Sequence, residues 1–145
     1  MNSGVWRILI LVFTLAAVWT FCNADTVQTT EPAVRPGHPV RINVTDPQVE
    51  AAAKIAIYAF NNQSNDMFLF KVLQIDDAKM QIVKGIKYIL DIRIRRTVCR
   101  KNKYYDLDKC DFQNDKKLNQ IFFCHSEVWT VVWLHFNKVT ALHCQ

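Results

Sequence analysis

The sequence predicts an α+β fold in which an antiparallel β-sheet of about five strands wraps around one long N-terminal α-helix. One amphipathic segment repeats its apolar residues every three to four positions, and the segments after it repeat them every second position. The strand-like segments follow one another without intervening helices, which favours antiparallel pairing. A third observation is a group of four cysteines near the end of the chain, which we expect to form two disulfides.

The first 36 residues are expected to lie outside this domain. In residues 1–24, Arg7 precedes an apolar run that ends at Cys22-Asn23-Ala24, which is typical of a cleaved export signal. The run is shorter than a bilayer-spanning helix, so we expect no membrane anchor. Residues 25–36 are polar and predict a flexible tail, and residues 37–145 form the single domain.

The helix is predicted to begin after Asp46, a favourable N-cap residue, and to continue through Asn62. Pro47 suits its first turn because proline has no N–H to pair there. The predicted buried face is rich in alanine, which allows a sheet to approach closely. This face comprises Val49, Ala52, Ala53, Ala56, Ile57 and Phe60.

Four later segments are predicted as strands, namely residues 68–77, 86–95, 121–130 and 134–144. In the second segment, alternate residues from Ile86 to Ile94 are apolar, which indicates a half-buried strand. Residues 102–117 are polar, and we expect them to form a long loop held by a disulfide.

Signal cleavage leaves four cysteines, Cys99, Cys110, Cys124 and Cys144. Four cysteines allow three pairings. We expect the sequence-local one, Cys99–Cys110 and Cys124–Cys144, because it closes two modest loops. A zinc site is the alternative, but the chain has no C-x-x-C pair and its histidines lack paired-ligand spacing, so we expect no metal and no cofactor.

Two features describe the expected surface. Basic residues are concentrated between Arg93 and Lys103, which is compatible with a nucleic-acid or heparin surface. No recognition motif or array of stacking aromatics accompanies them, so a solvated strand edge is favoured and no nucleic-acid partner is expected. Sequons at Asn43 and Asn62 fit an exported glycoprotein.

Two turns between predicted strands are candidate functional features. The first is Gln81-Ile82-Val83-Lys84-Gly85, where glycine permits the backbone angles of a tight hairpin. The second carries Val132 and Trp133, and we expect Trp133 to be an exposed anchor rather than a core aromatic, whereas Trp129 and Phe70 are better core candidates. Neither turn contains a nucleophile.

These motifs resemble those of the cystatin family, over roughly residues 36–145. Gln81 to Gly85 matches the Q-x-V-x-G hairpin of cystatins, and Trp133 stands where their second hairpin has its tryptophan. Gly37 precedes the helix at the spacing of the family's N-terminal binding glycine. The four cysteines also fall where secreted (type 2) cystatins have two consecutive disulfides.

The resemblance implies a secreted protein that inhibits papain-like cysteine proteases such as cathepsins and is not itself an enzyme. Such an inhibitor is expected outside the cell and also in endosomes or lysosomes. Gly37 with its preceding tail, the Gln81–Gly85 turn and Val132-Trp133 would form a wedge. This wedge would enter the active-site cleft and bind reversibly and tightly. The resemblance also implies a second site, Ser64-Asn65-Asp66, for legumain, which cleaves after asparagine; the alternative is an ordinary turn asparagine.

The chain departs from the family pattern in three places. Val132 replaces the usual proline, and Arg35-Pro36 precedes Gly37 where many relatives have bulky aliphatic residues. One member of the family dimerises through a tail cysteine that residues 25–36 lack, so we expect a monomer.

Two other classes of function are alternatives to inhibition. A non-inhibitory secreted glycoprotein of the same fold, acting by interaction or as an antimicrobial precursor, is disfavoured by the intact hairpins. A Cys–His hydrolase needs a free activated thiol, whereas the mature cysteines are expected in disulfides.

Overall fold

The computed structural model describes residues 37–103 and 106–145, which form one α-helix and a five-stranded antiparallel sheet. The strands pair in chain order, so each strand lies beside its neighbours in sequence. The predicted α+β fold is therefore confirmed, while the expected signal peptide and tail lie outside the described residues. The elements are β1 (Val40–Arg41), α1 (Pro47–Gln63), β2 (Phe68–Val83), β3 (Gly85–Arg100), β4 (Ile121–Val131) and β5 (Phe136–Cys144).

Helix α1 begins where the sequence predicts. Asp46 caps it, since its Oδ1 accepts a hydrogen bond of 2.7 Å from the backbone N–H of Gln48, and Pro47 occupies the first turn. The helix ends at Gln63, one residue later than predicted. Its predicted alanine-rich face packs on the sheet: Val49, Ala52, Ala53, Ala56 and Ile57 are each no more than 2% exposed.

Strands β2 and β3 form one long hairpin that runs from the pair Phe68 and Arg100 to the pair Val83 and Gly85. Strand β2 continues past residue 77, where its predicted range ended. The two aspartates at that point favour a turn in sequence, but within the sheet Asp76 pairs with a β3 arginine and Asp77 with a β1 arginine. Three register shifts bend the hairpin around the helix.

Strand β5 begins at Phe136 rather than at Leu134, its predicted start. Residues Val132–Leu134 instead form a single 3-10 turn, and His135 follows in the left-handed region with φ 49°. Three apolar residues in a row thus belong to a turn, which periodicity alone does not distinguish from a strand.

Both expected disulfides are present. Cys99 and Cys110 are bonded with their Cα atoms 5.9 Å apart, and Cys124 and Cys144 are bonded across β4 and β5 at 4.1 Å. The first disulfide holds the polar loop on β3, and the second closes the end of the last hairpin. Among the described residues, α1 is too short and too polar to span a bilayer.

The basic residues of β3 are engaged in contacts within the domain. Arg93 pairs with Asp76 at 2.6 Å, and Arg96 pairs with Asp66 just after the end of the helix. Arg95 donates to a backbone carbonyl of the disulfide-held loop. These side chains therefore brace the sheet and its loops.

Asn61 joins the C-terminal end of α1 to β2. Its Nδ2 donates to the carbonyl of Phe70 at 2.9 Å, and the backbone N–H of Phe70 donates back to its Oδ1 at 2.8 Å. Asn61 is 5% exposed, and Phe70 is fully buried. The Asn61 amide therefore pairs with the backbone of β2 as a neighbouring strand would, at a position where the helix covers the edge of the sheet.

We predict that Asn61→Ala lowers the free energy of unfolding by about 2–4 kcal/mol, because two buried backbone groups lose their partners. Denaturant unfolding with the disulfides intact measures the change. Gln63→Ala, at an exposed position in the same turn, is the matched control and is expected to be neutral within about 0.5 kcal/mol. Equal stability of the two variants would contradict the role of the Asn61 amide.

Candidate functional site

The three predicted wedge segments lie at one end of the sheet. Hairpin 1, residues 81–85, joins β2 to β3, and hairpin 2, residues 132–135, joins β4 to β5. Pairing of Ile86 with Thr130 places the two hairpins side by side. Strand β1, which follows Gly37, pairs with β2 just before hairpin 1. The structure thus brings together segments that are far apart in sequence.

Hairpin 1 turns on a single residue, Lys84, because Val83 pairs directly with Gly85. Gly85 has φ 113°, a conformation that L side chains rarely adopt. A Cβ at this position would also lie 2.5 Å from the carbonyl oxygen of Thr130. Glycine is therefore required twice, by the turn itself and by the close approach of hairpin 1 to β4.

Trp129 of β4 connects hairpin 1 to the start of β5. Its indole N–H donates to the carbonyl of Lys84 at 2.9 Å, and its ring packs edge-to-face on Phe136, with ring centroids 5.5 Å apart. Trp129 and Phe70 were both expected in the core. This is correct for Phe70 but wrong for Trp129, which lies half-buried on the sheet face that points away from the helix. A buried tryptophan needs a hydrogen-bond partner for its indole N–H, and this need is the one sequence signal that points to the bond between Trp129 and hairpin 1.

Gly37 is tethered to hairpin 1. The side-chain amide of Gln81 donates to its carbonyl oxygen at 2.8 Å. Gly37 has φ 84°, yet a Cβ added at this position would meet no atom within 4 Å, so only the backbone angle calls for glycine. The root of the tail and hairpin 1 are therefore fixed relative to each other.

Hairpin 2 presents exposed apolar side chains. Trp133 is 69% exposed, so it is not a core aromatic, and Val132 and Leu134 are exposed as well. Together with Ile82 and Val83 of hairpin 1, they form an apolar surface at the end of the sheet. Large exposed apolar patches mark interaction sites on otherwise polar proteins. Leu134 was not among the site residues predicted from the sequence.

The backbone of hairpin 2 accommodates the departure at Val132. Val131 is extended, with φ −119° and ψ 93°, so its φ lies within the range favoured before proline and its ψ lies somewhat below it. Val132 occupies the first position of the 3-10 turn, and the N–H of His135 donates to its carbonyl at 3.1 Å. Valine therefore begins the turn at the position that proline usually holds in the family.

An ion pair supports the sheet directly below the hairpins. Lys87 of β3 donates to Glu127 of β4 at 2.9 Å and thereby lowers the pKa of the Glu127 carboxyl from its ordinary value of 4.5. A lowered folded-state pKa means that the pair stabilises the fold above that ordinary value, and the contribution is lost as the pH falls through the lowered pKa. The support for the hairpins thus persists in mildly acidic solution.

The loop Ser64-Asn65-Asp66 lies at the opposite end of the β2–β3 hairpin. Asp66 accepts a hydrogen bond of 2.8 Å from the N–H of Phe68 and pairs with Arg96. Lys101 donates to the carbonyl and to the hydroxyl of Ser64. Asn65 between them is exposed, so the loop is braced on both sides of an accessible asparagine side chain.

Comparison with known proteins places these features in a family. The cystatin domain matches residues 37–133. Cystatin-F of mouse is 43% identical over 125 residues, covering 86% of this chain and 84% of the relative. Human cystatin-F is 50% identical over 111 residues, covering 77% of each.

Solved structures agree with this assignment. The crystal structure of dimeric human cystatin F has a TM-score of 0.75 and 47% identity, and the match covers 83% of this chain and 95% of that one. The salivary cystatin of the soft tick Ornithodoros moubata has a TM-score of 0.63 and 25% identity, with 77% and 99% covered.

Within the family, the sequence resembles cystatin F, also called leukocystatin, and the mouse and human cystatin-F relatives confirm this resemblance. The indicative segments include Cys110-Asp111-Phe112-Gln113 and Ser126-Glu127-Val128-Trp129. Cystatins inhibit cysteine proteases and are not themselves enzymes. From its matched domain, its relatives and its fold, this chain belongs to the cystatin family.

Proposed function

We propose that this protein is a reversible, tight-binding inhibitor of papain-like cysteine proteases of the cathepsin type. The observation that carries the proposal is the exposed apolar surface of hairpins 1 and 2, with Gly37 tethered beside it. The wedge formed by these segments enters the active-site cleft and blocks access of substrates. The predicted tail before Gly37 occupies the substrate-recognition subsites next to it.

Rigidity supports this role. Gln81 holds the root of the tail, and Trp129 holds hairpin 1 against β4, before any partner is present. Binding therefore costs little conformational entropy, which favours high affinity from a small contact area. Trp133 then supplies an aromatic side chain of the kind that dominates binding energy at interfaces.

Reversibility follows from the composition of the wedge. Neither hairpin contains a cysteine that could form a disulfide with the catalytic thiol, and neither carries a side-chain electrophile that the thiol could attack, so no covalent bond is needed for binding. Binding is expected to persist when the catalytic thiol of the protease is capped with a small group. Loss of binding to the capped enzyme, together with a covalent adduct on the active one, would contradict this mechanism.

Export, glycosylation and a monomeric state complete the proposal. The export signal in residues 1–24 directs the protein outside the cell or into endosomes and lysosomes. Asn43 and Asn62 are exposed, as glycan acceptors must be. Residues 25–36 contain no cysteine for a disulfide between two chains. Size-exclusion chromatography of the mature protein is expected to show a monomer.

Inhibition of legumain is a second proposed activity, carried by Asn65. This side chain is exposed and its two neighbours are fixed by Arg96 and Lys101, so the loop presents asparagine in a stable conformation. Legumain would accept it as a slowly processed substrate. The loop lies far from the wedge, so one molecule can act on both classes of protease.

Titration of papain, and then of a cysteine cathepsin, with folded mature protein decides between inhibition and the alternative. Near-stoichiometric loss of protease activity is expected. Full activity in the presence of excess disulfide-bonded protein would instead favour the non-inhibitory interaction or antimicrobial glycoprotein.

We predict that Trp133→Ala weakens inhibition of papain at least about thirtyfold, equivalent to about 2 kcal/mol, because an interface tryptophan is lost. Most of the change is expected in the dissociation rate, measured by progress-curve kinetics. Phe123→Ala is the matched control, since it removes another exposed aromatic far from the hairpins. Equal inhibition by both variants would show that hairpin 2 is not part of the wedge.

We predict that Trp129→Phe weakens inhibition by roughly three- to tenfold, because one hydrogen bond of about 1 kcal/mol no longer fixes hairpin 1. The phenyl ring retains an aromatic contact with Phe136, so the melting temperature is expected to change little. Faster hydrogen exchange confined to residues 83–85 would accompany the loss. An unchanged inhibition constant in a folded variant would show that the indole N–H does not position hairpin 1.

We predict that Asn65→Ala abolishes inhibition of legumain and leaves inhibition of papain unchanged, because Asn65 and the wedge lie at opposite ends of β2. The two inhibition constants are measured on the same preparation. Met67→Ala, at an exposed position of the same end, controls for general damage to this region. A parallel loss of both activities in folded Asn65→Ala protein would refute two separate sites.

A further inference from the structure

The fold aligns two histidines and an aspartate that are widely separated in sequence. His125 of β4 is paired directly with His143 of β5 on one side and with Asp91 of β3 on the other. Residues directly opposite each other across neighbouring strands point to the same face of a sheet. This face is turned away from α1, because the adjacent residues Ile92 and Cys124 are the ones buried in the core.

The row is open to solvent. About half of the side-chain surface of Asp91 and of His125 is exposed, and His143 is exposed as well. All three residues line one surface cavity of about 360 Å³. A small solvated ion therefore has access to both imidazoles.

Asp91 fixes the orientation of the His125 ring. Its Oδ1 lies 2.7 Å from Nδ1 of His125, and an ionised carboxylate at this distance accepts the Nδ1 proton. The lone pair of the neutral ring is then on Nε2, which points away from Asp91. A histidine that binds a metal almost always donates its other ring N–H to such a carboxylate or carbonyl.

We propose that His125 and His143 form a surface site for a divalent transition-metal ion, with Asp91 holding His125 in the metal-binding tautomer. Two imidazoles suit Cu²⁺, Ni²⁺ and Zn²⁺, and Cu²⁺ binds most tightly of these. The described residues include no group of three or more His, Cys, Asp or Glu arranged to hold a metal. The described residues therefore supply two ligands and water supplies the others, which sets a modest affinity.

The sequence predicted no metal because the histidines lack paired spacing along the chain. Spacing of that kind describes ligands on one helix or in one loop. Here the ligands are opposed by the register of β4 and β5, which is also the register of the adjacent Cys124–Cys144 disulfide. The disulfide keeps the two strands from slipping and so keeps the imidazoles opposite each other.

The metal site is independent of the proposed inhibition. His125 lies six residues before the end of β4 at Val131, which places it about 20 Å from hairpin 2 along the strand. A bound ion would link β4 to β5 and stabilise the native state by mass action.

The test uses disulfide-bonded protein without an affinity tag, titrated with CuCl₂, ZnCl₂ and MgCl₂ by calorimetry and followed by thermal unfolding. One Cu²⁺ is expected to bind per chain, with Zn²⁺ weaker and Mg²⁺ not binding. Cu²⁺ is also expected to raise the melting temperature. In His143→Gln and in His125→Gln, the affinity for Cu²⁺ is expected to fall at least tenfold, and the rise in melting temperature is expected to shrink with it.

Asp91→Asn is expected to lower the affinity for metal by about 10- to 100-fold, because the neutral amide no longer fixes the His125 tautomer. His38→Gln and His135→Gln are matched controls, since neither residue has a histidine opposite it in the described sheet, and both are expected to bind metal like the parent. Melting temperatures without metal establish that each variant is folded. Undiminished binding in His143→Gln, or an equal loss in the control variants, would overturn the proposal.

Discussion

The close approach of α1 to the sheet is the constraint on which the rest of the structure depends. Ala52, Ala53 and Ala56 face the strands with almost no exposed surface, so little side-chain volume separates the helix from the sheet. Larger residues there would overpack the interface and push the sheet away. At the C-terminal end of the helix the gap is filled by edge-to-face and tilted contacts among Phe60, Phe70 and Phe122, whose centroids lie 5.3–5.8 Å apart.

This packing determines where the hairpins lie. Strands β2 and β3 have 16 residues each and curve around the helix, so their connection projects beyond the core. The projecting end is stiffened from within by the amide of Gln81 and the indole of Trp129. The apolar surface there remains exposed because no element of the described chain folds over it. A rigid and apolar projection is what the proposed occlusion of a protease cleft requires.

The sequence predicted the parts of the structure that rest on local signals. The Asp46 cap, the alanine face and the alternating residues of β3 each depend on residues a few positions apart. The extent of β2 was not predictable in the same way, because Asp76 and Asp77 are retained in a strand by arginines from other strands. The same holds for the candidate site. The hairpin motifs are contiguous in sequence and were predicted, whereas the hydrogen bonds of Trp129 and Gln81 join residues far apart in sequence and were not.

A substitution at Gly85 would affect the hairpin end of the sheet separately from the packing of the helix. One additional methyl group would meet the Thr130 carbonyl at 2.5 Å, yet Gly85 lies at the tip of a long hairpin, away from the alanine face and both disulfides. A larger residue at this position therefore acts on hairpin 1 and on the adjoining Thr130 and Val131 of β4, and not on the alanine face of the helix. A domain that accepts such a change can alter the surface of its hairpin end, retain the packing of helix on sheet, and so acquire a different partner.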